Sequence, residues 1–134
     1  MRQTVKYKIF DAAEATATSN PIDMKSFLFP TLIIAASGTV SATLNIKGAL
    51  KDTNDDFTLA FGSAFSATNP WFYVDTYPLD NSTLGPIVGT TGIVLATAGV
   101  TAYNINADEL DQIAVTLTRS NGTFTVWLAG TTNQ

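Results

Sequence analysis

The chain has no cysteine and no histidine, and it carries little charge. Without cysteine there are no disulfides, zinc–thiolate sites or thiol nucleophiles, and the redox compartment is left open. Without histidine the usual proton carrier near neutral pH and the commonest metal ligand are missing. An ordinary Ser-His-Asp triad is excluded, and the serines stand in no Gly-x-Ser-x-Gly elbow. Charged residues make up 13% of the 134 residues, against about 25% in a typical soluble domain. Seven basic and eleven acidic residues leave a net charge of −4, the wrong sign for holding a phosphate backbone, so nucleic acid is not an expected partner. Long apolar runs are also lacking. The longest, Phe27 to Ala36, is interrupted by Pro30 and falls well short of the roughly 20 residues of a membrane helix, so no membrane partner is expected. The opening Met1-Arg2-Gln3-Thr4-Val5-Lys6-Tyr7-Lys8 lacks the apolar run of a secretory signal and reads as a strand.

What is present is threonine at alternate positions between apolar residues. From Thr39 to Lys51, Val40, Ala42, Leu44, Ile46, Gly48 and Leu50 share one face, while Thr39, Ser41, Thr43, Asn45, Lys47 and Lys51 share the other. This period of two marks a half-buried strand. Val5, Tyr7 and Ile9 repeat it, as do Phe57, Leu59 and Phe61, and Trp71 to Tyr77 carries aromatics on both faces. Turn residues punctuate these segments at Ser37-Gly38, Asp52 to Asp56, Asn69-Pro70, Pro78 to Pro86, Gly89 to Gly92 and Gly99. A hydrophobic content of 46% suffices for one core, so residues 1–134 read as a single domain. The expected fold class is all-β: an antiparallel β-sandwich, jelly-roll-like, with one or two short helical turns. Those turns are placed at Pro21 to Ser26, capped by Asn20, and at Ala107 to Gln112, capped by Asn106.

The carboxy-terminal segment reads as a hairpin. Asn121-Gly122 is the preferred dipeptide of a two-residue type I′ turn, and that loop opposes Arg119 to Phe124, Leu117 to Val126 and Val115 to Leu128. Ile113, Val115, Leu117, Phe124, Val126 and Leu128 then form one apolar face, leaving Thr116, Thr118, Thr125 and Trp127 on the other. A tryptophan among threonines has three readings: a loop or the chain start folds over it, it lies in a subunit interface, or it stacks on a sugar. Trp71 reads as core, and Tyr73 and Tyr77 are weaker candidates for a ligand-facing platform, as Trp71 also is if it is exposed.

Asp52-Thr53-Asn54-Asp55-Asp56 resembles the opening of a calcium loop but lacks its glycine and late glutamate; Phe57 and Ser63 stand there instead. It reads as a solvated turn, with an ion site as the lesser alternative, and no metal or cofactor is expected. Asp108, Glu109 and Asp111 read as the first turn of a short helix, where negative charge complements the dipole. No carboxylate pair forms a pattern from which to propose glycoside hydrolysis. Gly85 to Gly92 lacks the Gly-Lys-Ser/Thr of a nucleotide loop. Asn81-Ser82-Thr83 and Asn121-Gly122-Thr123 match the glycosylation acceptor pattern and read as turns. Lys6 and Lys8 share one side of the first strand, in line with Arg2. They either guard an edge strand against edge-to-edge pairing or dock on an acidic partner.

Phe72-Tyr73-Val74-Asp75, then Gly92-Ile93-Val94-Leu95, Tyr103-Asn104-Ile105-Asn106 and the closing Leu110 to Leu128 resemble small virion structural proteins of tailed bacteriophages. The Ile113 to Val126 pattern and the early Ala17-Thr18-Ser19-Asn20-Pro21-Ile22-Asp23 are similar to theirs as well. The resemblance implies a non-catalytic capsid decoration or cement subunit on the exterior of the virion. It would be a homo-oligomer, with a trimer as the expected number, clamping the major capsid protein or other virion subunits. A fibre, tail or adaptor subunit is the alternative within structural proteins. A carbohydrate-binding module is the alternative from another class, and a glycosidase-like enzyme comes last. On the decoration reading, Trp127, Thr116, Thr118, Thr125, Lys6 and Lys8 are the interface candidates.

Overall fold

A computed structural model describes residues 2–24, 27–50, 71–79, 86–106 and 110–133. Nine strands follow one another: β1 (Arg2–Ala13), β2 (Ala17–Thr18), β3 (Ile22–Asp23), β4 (Leu28–Leu50), β5 (Trp71–Tyr73), β6 (Thr76–Pro78), β7 (Ile93–Leu95), β8 (Gly99–Ile105) and β9 (Leu110–Asn133). All pairings are antiparallel and link them into one sheet. No helix occurs among the described residues, which corrects the expectation of short helical turns for Pro21 to Met24 and Leu110 to Gln112; Lys25 and Ser26 lie outside the described residues. Ile22–Asp23 instead pairs with Ile113 and Gln112, and Leu110 to Gln112 begins β9. Both segments are too short to recover the cost of nucleating a helix, whereas extended pairing buries Ile22 and Leu110. Ala107 to Glu109 lie outside the described residues, as do Asp52 to Asp56, Phe57 to Phe61 and Asn81 to Thr83.

The backbone of the fold is a ribbon of β4 and β9, 23 and 24 residues long, paired from Leu28↔Thr131 to Leu50↔Leu110. Straight, such strands would reach about 75 Å at roughly 3.3 Å per residue. A chain of this length has a radius of gyration of about 14 Å, so it spans only about half that distance. The ribbon therefore bends, and besides register slips near its ends, between Leu28 and Thr31 and between Ala49 and Leu50, it has an irregular stretch at its middle. The register slips between Ser37 and Ala42 on β4, opposite Arg119 to Thr123, and Gly38 and Gly122 take φ of 84° and 105°. Such left-handed angles suit glycine, and bulges of this kind increase local twist and bend a strand.

The Asn121-Gly122 dipeptide consequently makes a bulge within a continuous strand and not a hairpin turn. Leu117 pairs with Leu44, Val126 with Ile34 and Leu128 with Leu32. The apolar face read from the sequence is nonetheless present: Ile113, Val115, Leu117, Phe124, Val126 and Leu128 are all fully buried. Val40, Ala42, Leu44 and Ile46 join them. One apolar cluster thus draws on both halves of the bent ribbon, an arrangement compatible with two packed layers. One half carries β1 and β8 as neighbours, and the other carries β2, β3, β5 and β7.

Candidate functional site

The amino-terminal strand lies along the carboxy-terminal half of β9, and the pairing decides which side chains share its outer face. Lys8 stands opposite Trp127, and Lys6 opposite Ala129. On the other side of β9, Ile33 faces Trp127 and Ala35 faces Thr125, and β8 continues these rows with Ala102 and Val100. Directly opposed residues project from the same side of a sheet. The Lys8 row therefore runs from a cationic edge through tryptophan to aliphatic side chains, whereas the Lys6 row leads through Ala129 to Thr31 and Asn104.

Trp127 is half-buried. The Lys6 ammonium lies 4.6 Å and the Lys8 ammonium 5.9 Å from its ring centroid. Lys6 reaches the ring diagonally because its direct neighbour, Ala129, is small. Attraction between an exposed ammonium and an indole face contributes about 0.5–1 kcal/mol. Lys8 also meets Asp11 at 3.6 Å, with both side chains largely exposed. A bulge after Lys8 turns Phe10 into the core, in the place the alternation assigned to Ile9.

The other threonines are not brought together with Trp127. Thr125 shares its half of β9, where its hydroxyl accepts a hydrogen bond from Ala12 N–H at 3.0 Å. Thr116 and Thr118 lie beyond the Gly122 bulge, opposite Asn45 and Thr43. Thr116 shares a 3.2 Å hydroxyl contact with Thr18. The single threonine face implied by a hairpin is thus divided between the two halves of the ribbon. The sequence reading passed over Ile33, Ala35 and Ala102. Their signal was in Leu32 to Ala36, an apolar run without polar alternation, as expected of a strand with an apolar outer face.

At the other half of the ribbon, Tyr73 stands opposite Lys47, whose ammonium lies 4.5 Å from the tyrosine ring centroid. Lys47, assigned by alternation to the polar face, is only 2% exposed, and burial lowers its pKa from the ordinary 10.5. Nearby, the Asp75 carboxylate accepts the Gly89 N–H at 2.8 Å and the Asn45 amide donates to the Gly89 carbonyl at 3.0 Å. These bonds clamp the turn after Ile87 to the sheet. Gly92 closes that turn at φ 78°, where an added Cβ would lie 2.5 Å from the Asn45 amide nitrogen. The Trp71 backbone pairs with Ala49; its side chain lies outside the described part. Tyr73 and Tyr77 are 41% and 40% exposed. Among the described residues, no group of three His, Cys, Asp or Glu is placed to hold a metal ion. A cleft of about 230 Å³ between β7 and β8 is lined by small and aliphatic residues, with Tyr103 as its one titratable side chain.

No protein-family model matches the chain, and no curated protein does. Among solved structures, it resembles the SPBc2 prophage-derived protein YomS. The likeness covers 98% of this chain and 96% of that one, with a TM-score of 0.58 and 10% identity. Coverage of that extent makes it a likeness of the whole fold and not of one hairpin. At such identity the fold alone is shared, and side-chain roles rest on the geometry described above.

Proposed function

We propose that the chain is a non-catalytic bacteriophage structural protein, a capsid decoration or cement subunit acting through contact area. The observation that carries this reading is the outer face of β1, β9, β4 and β8. It has an apolar centre of Trp127, Ile33, Ala35 and Ala102, threonine and asparagine around it, and lysines along one edge. The fold shared with a prophage-derived protein supports a phage association. Scarce charge across the chain suits a subunit packed against neighbours.

Burial of apolar surface contributes roughly 25 cal/mol per Å², offset by the cost of association, so a modest patch holds best when repeated by symmetry. A homotrimer seated on the head exterior, against the major capsid protein, is the form this reading takes. The test is co-sedimentation of the purified protein with phage heads and, separately, with tails. Saturable binding to heads supports the decoration role. Binding to tails alone would assign the chain to a fibre, tail or adaptor subunit, and binding to neither would overturn the virion reading.

A further inference from the structure

Building on the reading of the outer face as a docking face, we propose that the Lys6–Trp127–Lys8 cluster recognises an acidic segment of a partner protein. A carboxylate of that segment sits between the two ammonium groups, and an apolar neighbour covers the indole and Ile33. Both ammonium groups lie over one ring, at 4.6 and 5.9 Å from its centroid, which concentrates positive charge on a chain whose net charge is −4. An anion between them relieves their mutual repulsion. Among the described residues no carboxylate pairs with Lys6, and that of Lys8 is Asp11 at 3.6 Å, with side-chain exposures of 47% and 75%. Exposed pairs of this kind contribute at most about 1 kcal/mol. Asp11 is thus a weak internal occupant that an incoming carboxylate can replace.

Charge also selects among occupants. A two-fold pairing of this chain about Trp127 would set one lysine pair against another, so a second copy placed in that way is disfavoured. A phosphate backbone satisfies the lysines but offers nothing to cover Ile33, Ala35 and the indole. An acidic segment with interspersed aliphatic residues satisfies both parts of the surface.

The experiment is calorimetric titration of the full chain with a synthetic peptide of alternating glutamate and leucine, at low and at moderate salt. Binding is expected to weaken several-fold as salt rises, because exposed charges are screened over about 8 Å at physiological ionic strength. The double variant Lys6→Met, Lys8→Met keeps aliphatic stems over the ring and loses only the attraction of the two charges to it, so the chain should stay folded with a melting temperature lowered by only a few degrees. Its affinity should fall by about tenfold or more, as expected on removing close charge pairs. Asp11→Asn should tighten binding about two- to threefold by removing the internal competitor, an effect that a role confined to guarding the strand edge would not produce. Unchanged affinity in the double variant, or no gain from Asp11→Asn, overturns the proposal. Equal binding of inorganic polyphosphate overturns it in favour of a general anion site, and salt-sensitive self-association lost in the double variant overturns it in favour of a second copy. Absence of peptide binding while heads still co-sediment with the protein would reject this recognition chemistry and leave the decoration role standing.

Discussion

Lys47 shows how far a residue can depart from its place in a pattern. Its position between Ile46 and Gly48 continues the polar face of the strand, yet β5 pairs alongside and sets Tyr73 against it. A period of two tells which side a residue points to; whether another strand covers that side is decided by pairing elsewhere in the chain. Burial has a measurable consequence here, since it lowers the Lys47 pKa from 10.5. The unfolded chain then holds its proton at a higher pH than the native one, and native stability rises as pH climbs from the lowered value towards the ordinary one. The stability difference between the native chain and Lys47→Met, measured by urea unfolding, should shift in favour of the native chain as pH rises through that window. A pH-independent difference would show that Lys47 binds its proton equally in both states.

At the scale of the element, the hairpin misreading has a specific cause. Ile113, Val115 and Leu117 fall on odd numbers and Phe124, Val126 and Leu128 on even ones. A two-residue turn and a bulge in one long strand both change parity in this way. The deciding partner, β4, lies 60 residues or more away in sequence, from Leu50↔Leu110 upward, beyond what a local pattern records. The two geometries make different demands on Asn121. A type I′ turn requires positive φ at both central residues, whereas here Gly122 has it and Asn121 does not. Asn121→Thr should therefore change stability by less than about 0.5 kcal/mol, as is usual at an exposed strand position. Gly122→Val should cost about 1–3 kcal/mol, because a side chain at positive φ is strained and its Cβ would lie 3.1 Å from Phe124. Denaturant midpoints measure both, and a large loss from Asn121→Thr would return the dipeptide to a turn.

For the whole molecule, the antiparallel all-β class, the core residues of β4 from Val40 to Ile46 and of β9 from Ile113 to Leu128, and the line of Lys6 and Lys8 were legible from alternation alone. The bend was not, because it follows from the mismatch between strand length and domain size, which appears only once β4 and β9 are known to be continuous. Nor was the meeting of the lysines with Trp127 legible, since it depends on pairing between the two ends of the chain. On the proposed role, the chain assembles, with a trimer expected, and Trp127→Ala should weaken co-sedimentation with heads while lowering unfolding stability far less. A native chain that remains monomeric at high micromolar concentration would count against self-assembly. A variant that fails to fold would show that Trp127 serves the domain itself.

The most direct measurement is an electron cryo-microscopy reconstruction of phage heads incubated with the purified protein. The proposed role predicts ordered density on the head exterior, with the β1–β9–β4–β8 face and Trp127 turned towards the capsid subunits. Bare heads at saturating protein, or bound protein with that face open to solvent, would contradict it.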